Sequence, residues 1–555
     1  MRLIRFLWSS SKLASSIAFA LSVIGGLSSA AMLVVIQAAI RVRTPRLILE
    51  FAGLCLVLCA CRVSSQILLV HLAQRCMLDL VMELSRSFLR TPLQTVERLG
   101  HHRVTAALTD DVATVTFGLT ALPAAALAVT MICGSFIYLG WLSLATLATA
   151  LLFVAAGVMG FRLAYRAGDR FFVLARLDRD EMFDGFRSLI GGLKELKLNR
   201  LRKQEFLKIA LQERGESFRR HNLNATSIHS VFGAGALLLF YTLIGLLLFW
   251  LPNLLHLNRE VVTGYIFFLL FLISPIDALT NLLPTIGRAA FALTQLDELG
   301  LTLSQSAVES DRDDRPAFEA GPLELREVMH RYEPTDGDEP FVTGPISLTI
   351  RPGEALFLLG GNGSGKTTLA KVITGLYLPC SGHIRVDGVP VTTTMLDAYR
   401  NQFSAVFSDF HLFRTFYGIE ASTVEKSASA YIDELRLSHK VRVTGRTLST
   451  TDLSQGQRKR LALLAALLED RPVYVLDEWA ADQDVSYKQF FYEEMIPALK
   501  RRGKTVIVIT HDERYVDSAD HLIRLENGQI AFEQISELSF EESQPQVQVV
   551  GGSEG

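Results

Sequence analysis

Gly360-Gly361-Asn362-Gly363-Ser364-Gly365-Lys366-Thr367 decides how this chain is read. The stretch fits the phosphate-binding pattern G-x-x-x-x-G-K-[ST]. Its glycines let the backbone fold tightly around an anion and turn its N–H groups inward. Lys366 can reach the β- and γ-phosphates of a nucleotide, and the Thr367 hydroxyl can ligate Mg²⁺. The flanks agree. Ala355-Leu356-Phe357-Leu358-Leu359 reads as a buried strand, and Thr367 to Thr374 as a helix whose N-terminus favours phosphate. Thr368 lies at that same N-terminus.

Further along, Val473-Tyr474-Val475-Leu476-Asp477-Glu478 reads as a buried strand ending in two carboxylates. Side chains of neighbouring strand residues diverge, so the two acids can take two roles. Asp477 can hold Mg²⁺ opposite Thr367, and Glu478 can orient an attacking water. Thr505 to Ile509 is a third buried strand, followed by Thr510-His511-Asp512, which places His511 to contact the γ-phosphate and the water. Phosphoryl transfer needs chiefly positioning and charge stabilisation, which Lys366, Glu478 and His511 can supply. Tyr332 follows the expected strand Leu323–Val328, where its ring can stack on adenine. Leu453-Ser454-Gln455-Gly456-Gln457-Arg458-Lys459-Arg460 leads into the apolar helix Leu461–Leu468. It supplies a Ser cap and a close-approach glycine at a helix N-terminus, again an anion site.

Composition divides the chain. Of 555 residues, 49% are hydrophobic and 20% charged, and mean hydropathy is +0.28. That is too apolar for an ordinary soluble enzyme, and a formal net charge of −2 gives no basic field for nucleic acid. The apolar excess lies mostly before residue 300, so a membrane half (1–300) precedes an α/β half (321–540). Six runs approach or exceed the ~20 residues a bilayer requires: about 13–40, 47–72, 116–139, 142–165, 226–252 and 261–287. The start resembles a signal peptide, but the first run is too long and further spans follow. The segments after spans two and four carry many Arg and Lys, whereas the turn at Gly140-Trp141-Leu142 carries none. Basic loops stay cytoplasmic, which puts both termini inside. Arg41, Arg43 and Arg46 break that rule, either as headgroup anchors or as the rim of an exit. Both inner segments read as helices extending below the bilayer.

Arg62, His229 and Asp277 lie in or near spans. They line a substrate path or mark helix ends at the interface; ionisable groups at depth tend to face a bundle interior or a wet cavity. Pro275 and Pro284 flank Asp277, where a kink is expected. Cys55, Cys59 and Cys61 read as small apolar helix residues rather than metal ligands. Residues 301–320 read as a linker and 541–555 as a disordered tail.

Together these residues resemble a bacterial ABC exporter half-transporter over nearly the whole chain. Leu453–Arg460 is similar to the ABC signature, with Gln455 in place of its usual first Gly. Three stretches are similar to the cyclic-peptide exporter branch, which serves syringomycin-type lipopeptides, a pyoverdine precursor and a lasso-peptide microcin: Gly191–Arg200, Phe403–Asp409 and Leu476–Asp484. The resemblance implies an all-α membrane domain of six helices followed by a P-loop NTPase domain. It also implies a homodimer in which the phosphate loop of one subunit and Ser454, Gly456 and Gln457 of the other sandwich each ATP, with Asp484 crossing between subunits. Two departures stand out. Ser408 occupies the place of a Gln that helps hold Mg²⁺, so Ser408 or Asp409 is left to substitute. Trp479 replaces the common Pro after the glutamate.

The expectation is therefore an ATP- and Mg²⁺-dependent exporter in the bacterial inner membrane, working by alternating access. Its cargo would be a cyclic peptide, lipopeptide, lasso peptide or siderophore precursor, with membrane lipid around it and an outer-membrane efflux partner as a further candidate. The rivals are a lipid or drug flippase, an importer on the same fold, and a membrane-bound ATP sensor that moves nothing.

Overall fold

The computed structural model describes residues 2–41, 44–254, 258–305, 318, 321–332 and 341–536. Most of the expected linker, the whole expected tail and Arg43 lie outside the described residues. The chain divides into two compact units, residues 1–80 with 111–294 and residues 81–110 with 295–555.

The first unit is helical. In chain order the helices are α1 (Arg2–Ser10), α2 (Lys12–Arg41), α3 (Pro45–Leu89), α4 (Leu93–Leu99), α5 (His101–Ala106), α6 (Val112–Leu142), α7 (Leu144–Gly191), α8 (Leu193–Leu198), α9 (Arg200–Phe206), α10 (Arg214–Phe249), α11 (Leu251–Leu254) and α12 (Arg259–Gln305). Among them α4, α5 and the ends of α3 and α12 belong to the second unit. Five described helices are long and apolar enough to cross a membrane, and the apolar stretch Leu144–Gly160 opens α7. Many of their large side chains point outward, such as Leu49, Leu56, Leu152 and Phe249. A helix satisfies its own backbone polar groups, so it can present apolar side chains to lipid. α12 runs unbroken through Pro275 and Pro284.

Small residues bring these helices together. A Cβ on Gly118 would lie 2.1 Å from the Ala289 Cβ, and one on Gly26 2.6 Å from Thr130. Polar ties are few and buried. The Ser22 and Ser65 hydroxyls hydrogen-bond at 2.8 Å between α2 and α3. The Tyr138 hydroxyl donates to Gln37 at 2.9 Å, and its ring stacks on Phe268. α7 and α10 pair along their length, and there Asp178 accepts from Ser217 at 3.0 Å and meets His221 Nδ1 at 2.7 Å.

The second unit is α/β. Its strands are β1 (Leu323–Tyr332), β2 (Phe341–Ile350), β3 (Ala355–Leu359), β4 (Ser381–Val386), β5 (Val389–Pro390), β6 (Phe403–Val406), β7 (Val443–Thr444), β8 (Thr447–Leu448), β9 (Val473–Asp477), β10 (Thr505–Ile509), β11 (His521–Glu526) and β12 (Gln529–Ile535). Its later helices are α13 (Lys366–Ile373), α14 (Leu396–Arg400), α15 (Ala421–Glu434), α16 (Gln455–Glu469), α17 (Val485–Gln489) and α18 (Ile496–Arg501). One sheet has the order β12-β11-β3-β10-β9-β6, parallel except for β12; the other is antiparallel, β2-β1-β4-β5. β3 and β10 are buried throughout, as the inner strands of a sheet covered on both faces must be. Ligands of such sheets gather at the carboxyl ends of the strands. There β3 leads into the phosphate loop, β9 ends in Asp477 and β10 runs out to His511.

Candidate functional site

The loop after β3 is built on backbone geometry. Gly360 has φ 147° and Gly365 φ 98°, and a Cβ on Gly360 would meet the Leu525 carbonyl at 2.4 Å. Only glycine accepts such a position without strain. Gly365 caps α13, and Lys366 begins it. Lys366 is buried, and its Nζ donates to the carbonyls of Gly360 and Gly361, each at 2.9 Å. The ammonium is thereby held over the loop. The Ser364 hydroxyl is buried with no hydrogen-bond partner. Asn362 and Gly363 form the exposed lip of the loop, and Thr368 is half-buried in the first turn of α13.

Across the sheet, Asp477 is fully buried at the end of β9. Its Oδ2 accepts from the Thr367 hydroxyl at 3.0 Å and from the Ser408 N–H at 3.4 Å. Its Oδ1 is buried without a partner. Burial pushes the carboxyl above its ordinary range, only partly offset by the hydrogen bonds from Thr367 and Ser408. A half-satisfied buried carboxylate beside a hydroxyl is a hard oxygen donor set, so these residues fit Mg²⁺. Ser408 enters this cluster through both its backbone N–H and its side chain.

Glu478 follows in the left-handed region, with φ 48° and ψ 32°. Its N–H donates to the Ile509 carbonyl at 2.9 Å, which ties it to the end of β10. His511 Nδ1 stands 4.0 Å from the Glu478 carboxylate, so the structure brings together the two residues expected to handle water. The loop after His511 is fixed by Asp512, which caps the next turn and accepts from Arg514 at 2.7 and 2.8 Å. The Arg514 hydrogen bond and charge hold the Asp512 carboxyl down to about 2.

Tyr332 is the last residue of β1 rather than a residue beyond it, and its ring is exposed. Ser454 caps α16, and its N–H donates to Gln457 Oε1 at 3.3 Å. Gly456 packs so closely that a Cβ would lie 2.9 Å from the Asp482 carbonyl. Asp484 caps α17 through Tyr487 N–H at 2.9 Å and accepts from Ser486 at 2.7 Å. Those bonds, the Ser486 hydroxyl first, lower its pKa. Among the described residues no hydrogen bond or ion pair joins Ser454, Gly456, Gln457 or Asp484 to the phosphate loop. In the first unit, Arg62 and Asp277 are exposed and no ion pair joins them; the side chain of His229 lies outside the described residues.

Sequence reasoning missed one cluster. Glu97 of α4 pairs with Lys371 Nζ of α13 at 3.1 Å and accepts from the Tyr377 hydroxyl. Tyr377 in turn stacks on His330, two residues before Tyr332. Gln94 Nε2 donates to the Arg331 carbonyl at 3.3 Å. The available signal was an acid among the basic residues Arg86, Arg90, Arg98 and Arg103, which names no partner.

The comparisons with known proteins agree with this geometry. The sequence profile of the ABC transporter family matches residues 343–481. The chain is 35% identical over 539 residues to the ATP-binding protein SyrD of Pseudomonas syringae pv. syringae, covering 95% of each chain. It is 32% identical over 282 residues to the ATP-dependent lipid A-core flippase of Alkalilimnicola ehrlichii, covering 47% of this chain and 46% of that one. Its fold is similar to a bacterial Atm1-family ABC exporter with ATP bound, with TM-score 0.74, 16% identity and coverage of 95% and 96%.

Proposed function

Because this chain belongs to the ABC transporter family, as a multi-pass membrane protein with an ATP-hydrolysing domain, we propose that it exports a peptide across the bacterial inner membrane. Both termini are cytoplasmic in this reading, and the working unit is a homodimer. The cargo is a cyclic peptide, lipopeptide, lasso peptide or siderophore precursor. The observation that carries the proposal is whole-length likeness, membrane half included, to SyrD, together with the stretches similar to the cyclic-peptide exporters. The flippase likeness covers under half of the chain, and it supports the second reading, a lipid exporter.

Each residue then has a task. The backbone N–H groups of the loop and the Lys366 ammonium bind the β- and γ-phosphates of ATP, and Tyr332 stacks on the adenine. Asp477 and Thr367 would hold Mg²⁺, with Ser408 supporting Asp477; the ion would supply charge neutralisation on the phosphates. Glu478 orients the attacking water, and His511, 4.0 Å from its carboxylate, contacts the γ-phosphate and the water. Ser454, Gly456 and Gln457 of the second copy close over the γ-phosphate, and Asp484 crosses between copies. Arg62, His229 and Asp277 are the candidate cavity residues.

The test is ATP turnover by the purified protein in lipid nanodiscs, with and without a panel of cyclic peptides and siderophore precursors. Stimulation by one compound, lost in Glu478→Gln, is expected. Turnover that responds to lipid A and to no peptide would favour the flippase, and Glu478→Gln at the parental rate would remove Glu478 from its role.

A further inference from the structure

Lys459 is a buried lysine with a task that no motif describes. It lies on α16, five residues after Ser454, and its side chain is 5% exposed. Its Nζ donates to the backbone carbonyl of Glu478 at 2.7 Å and pairs with Asp482 Oδ2 at 2.8 Å. The residue after Glu478 returns the bond: Trp479 Nε1–H donates to the Lys459 carbonyl at 2.8 Å. Trp479 is fully buried, with its ring 4.6 Å from Phe491. Gln483 Nε2 donates to the Gly456 carbonyl at 3.0 Å, and Arg460 Nε donates to Gln483 Oε1 at 2.9 Å. The start of α16 and the turn 478–484 are thus laced together by five side chains, those of Lys459, Arg460, Trp479, Asp482 and Gln483.

The lacing acts where the backbone is strained. A residue with a Cβ pays conformational energy at φ 48°, and it stays there only if its surroundings hold it. At Glu478 both peptide groups are held: the N–H by the Ile509 carbonyl, and the C=O by Lys459 at 2.7 Å and by the Ala481 N–H at 3.2 Å. With both fixed, only side-chain rotation remains to aim the carboxylate beside His511. If Lys459 loses its donor, the Glu478 carbonyl keeps only the longer bond from Ala481 within its own turn, the tie to α16 is gone, and the peptide between Glu478 and Trp479 is held less tightly, the carboxylate with it. A lysine suits the place because its three N–H donors serve the carbonyl and the Asp482 carboxylate together, the latter compensating the buried charge.

We propose that Lys459 is a positioning residue for ATP hydrolysis: it holds Glu478 in the left-handed conformation that aims its carboxylate at the water. This rests on the role proposed above for Glu478. The full-length protein in lipid nanodiscs tests it by steady-state turnover against ATP concentration. Lys459→Met keeps the length and removes the donor; kcat is expected to fall roughly 10- to 100-fold, the scale of a reacting group misplaced by about 1 Å. KM for ATP stays within about threefold, because the contacts of Lys366 and the loop are untouched. Lys459→Arg, which keeps a cationic donor, restores most of the rate. Trp479→Phe, which keeps a ring and loses the N–H, lowers kcat about threefold.

A Lys459→Met rate within twofold of the parent overturns the proposal. So does a loss of rate that Lys459→Arg shares in full and that comes with a rise in KM and an equal fall in melting temperature, the marks of a core plug. If Lys459→Met does not fold, Trp479→Phe and Asp482→Asn decide, and unchanged kcat in both overturns it. Glu478→Gln is run alongside. Parental turnover there removes the premise and the proposal together, whereas an inactive Glu478→Gln beside an active Lys459→Met rejects the positioning role alone.

Discussion

The short helices α4 and α8 are seven and six residues long, and each follows a long helix of more than forty residues. Their surroundings differ. Leu93 of α4 packs against the core around β1, β3 and α13, and Glu97 is gripped by Lys371 and Tyr377. On α8, Leu196 is buried, but Leu198 is 88% exposed and Leu201 just beyond is 75% exposed. The first helix has polar and apolar partners in its own chain, on the helix that begins with Lys366. The second leaves Leu198 and Leu201 uncovered, which fits the homodimer proposed above. Within the second unit, α4 is tied directly to the helix that follows the phosphate loop.

Reversing the charge in the gripped helix should break the comparison most strongly. Glu97→Lys sets like charges against each other at Lys371, and transport in proteoliposomes should fall about 30-fold, a coupling loss of roughly 2 kcal/mol. Basal ATP turnover should stay within threefold; if both fall together, Glu97 supports the fold and not the link. Leu198→Asp puts a charge on the uncovered face, and peptide-stimulated turnover should drop about fivefold, with less dimer seen by light scattering. A fully dimeric, fully stimulated Leu198→Asp protein would leave α8 without an interface role. Tyr377→Phe removes one donor from Glu97 while Lys371 remains, so transport should fall only two- to fourfold, about 0.5–1 kcal/mol.

The smallest effect on transport should lie outside both helices. His521 is buried between Glu354 at 3.4 Å and Glu533 at 2.8 Å. Burial pulls its pKa down, but the hydrogen bonds and charges of the two glutamates together outweigh burial and raise it. A folded-state pKa above the unfolded value gives stability that is full below about pH 6.5 and is lost as pH rises through the folded value. His521→Gln should therefore unfold a few degrees earlier than the parent at pH 6, about 1–2 kcal/mol, with the gap closing toward pH 9. Transport per folded molecule should not change. A gap that widens with pH would mean His521 is neutral in the fold.

Much of the nucleotide site was legible in the sequence because its parts are local. A glycine run between an apolar run and a helix can be read without knowing the rest, and so can Asp477 and Glu478 at the end of an apolar run. The α16 cap was legible for the same reason. The strand before Tyr332 was read as ending at Val328, four residues short, since strand ends are set by pairing and β1 pairs with β2 as far as Tyr332–Phe341. Ser408 was read for its side chain, and its backbone N–H reaches Asp477 as well, at 3.4 Å. Glu97 and Lys371 are 274 residues apart, and no spacing rule links them.

The sequence by itself determined the two halves, the apolar helices, the phosphate loop and the acids at the end of β9. These follow from side-chain periodicity, hydropathy and the freedom of glycine, which act within a few residues. Only the tertiary structure decided that Lys459 and Trp479 hold Glu478, that Glu97 meets Lys371 and that His521 sits between two glutamates. Those are contacts between buried polar groups. Burial demands a partner for each such group, but only the packing of the chain says which one.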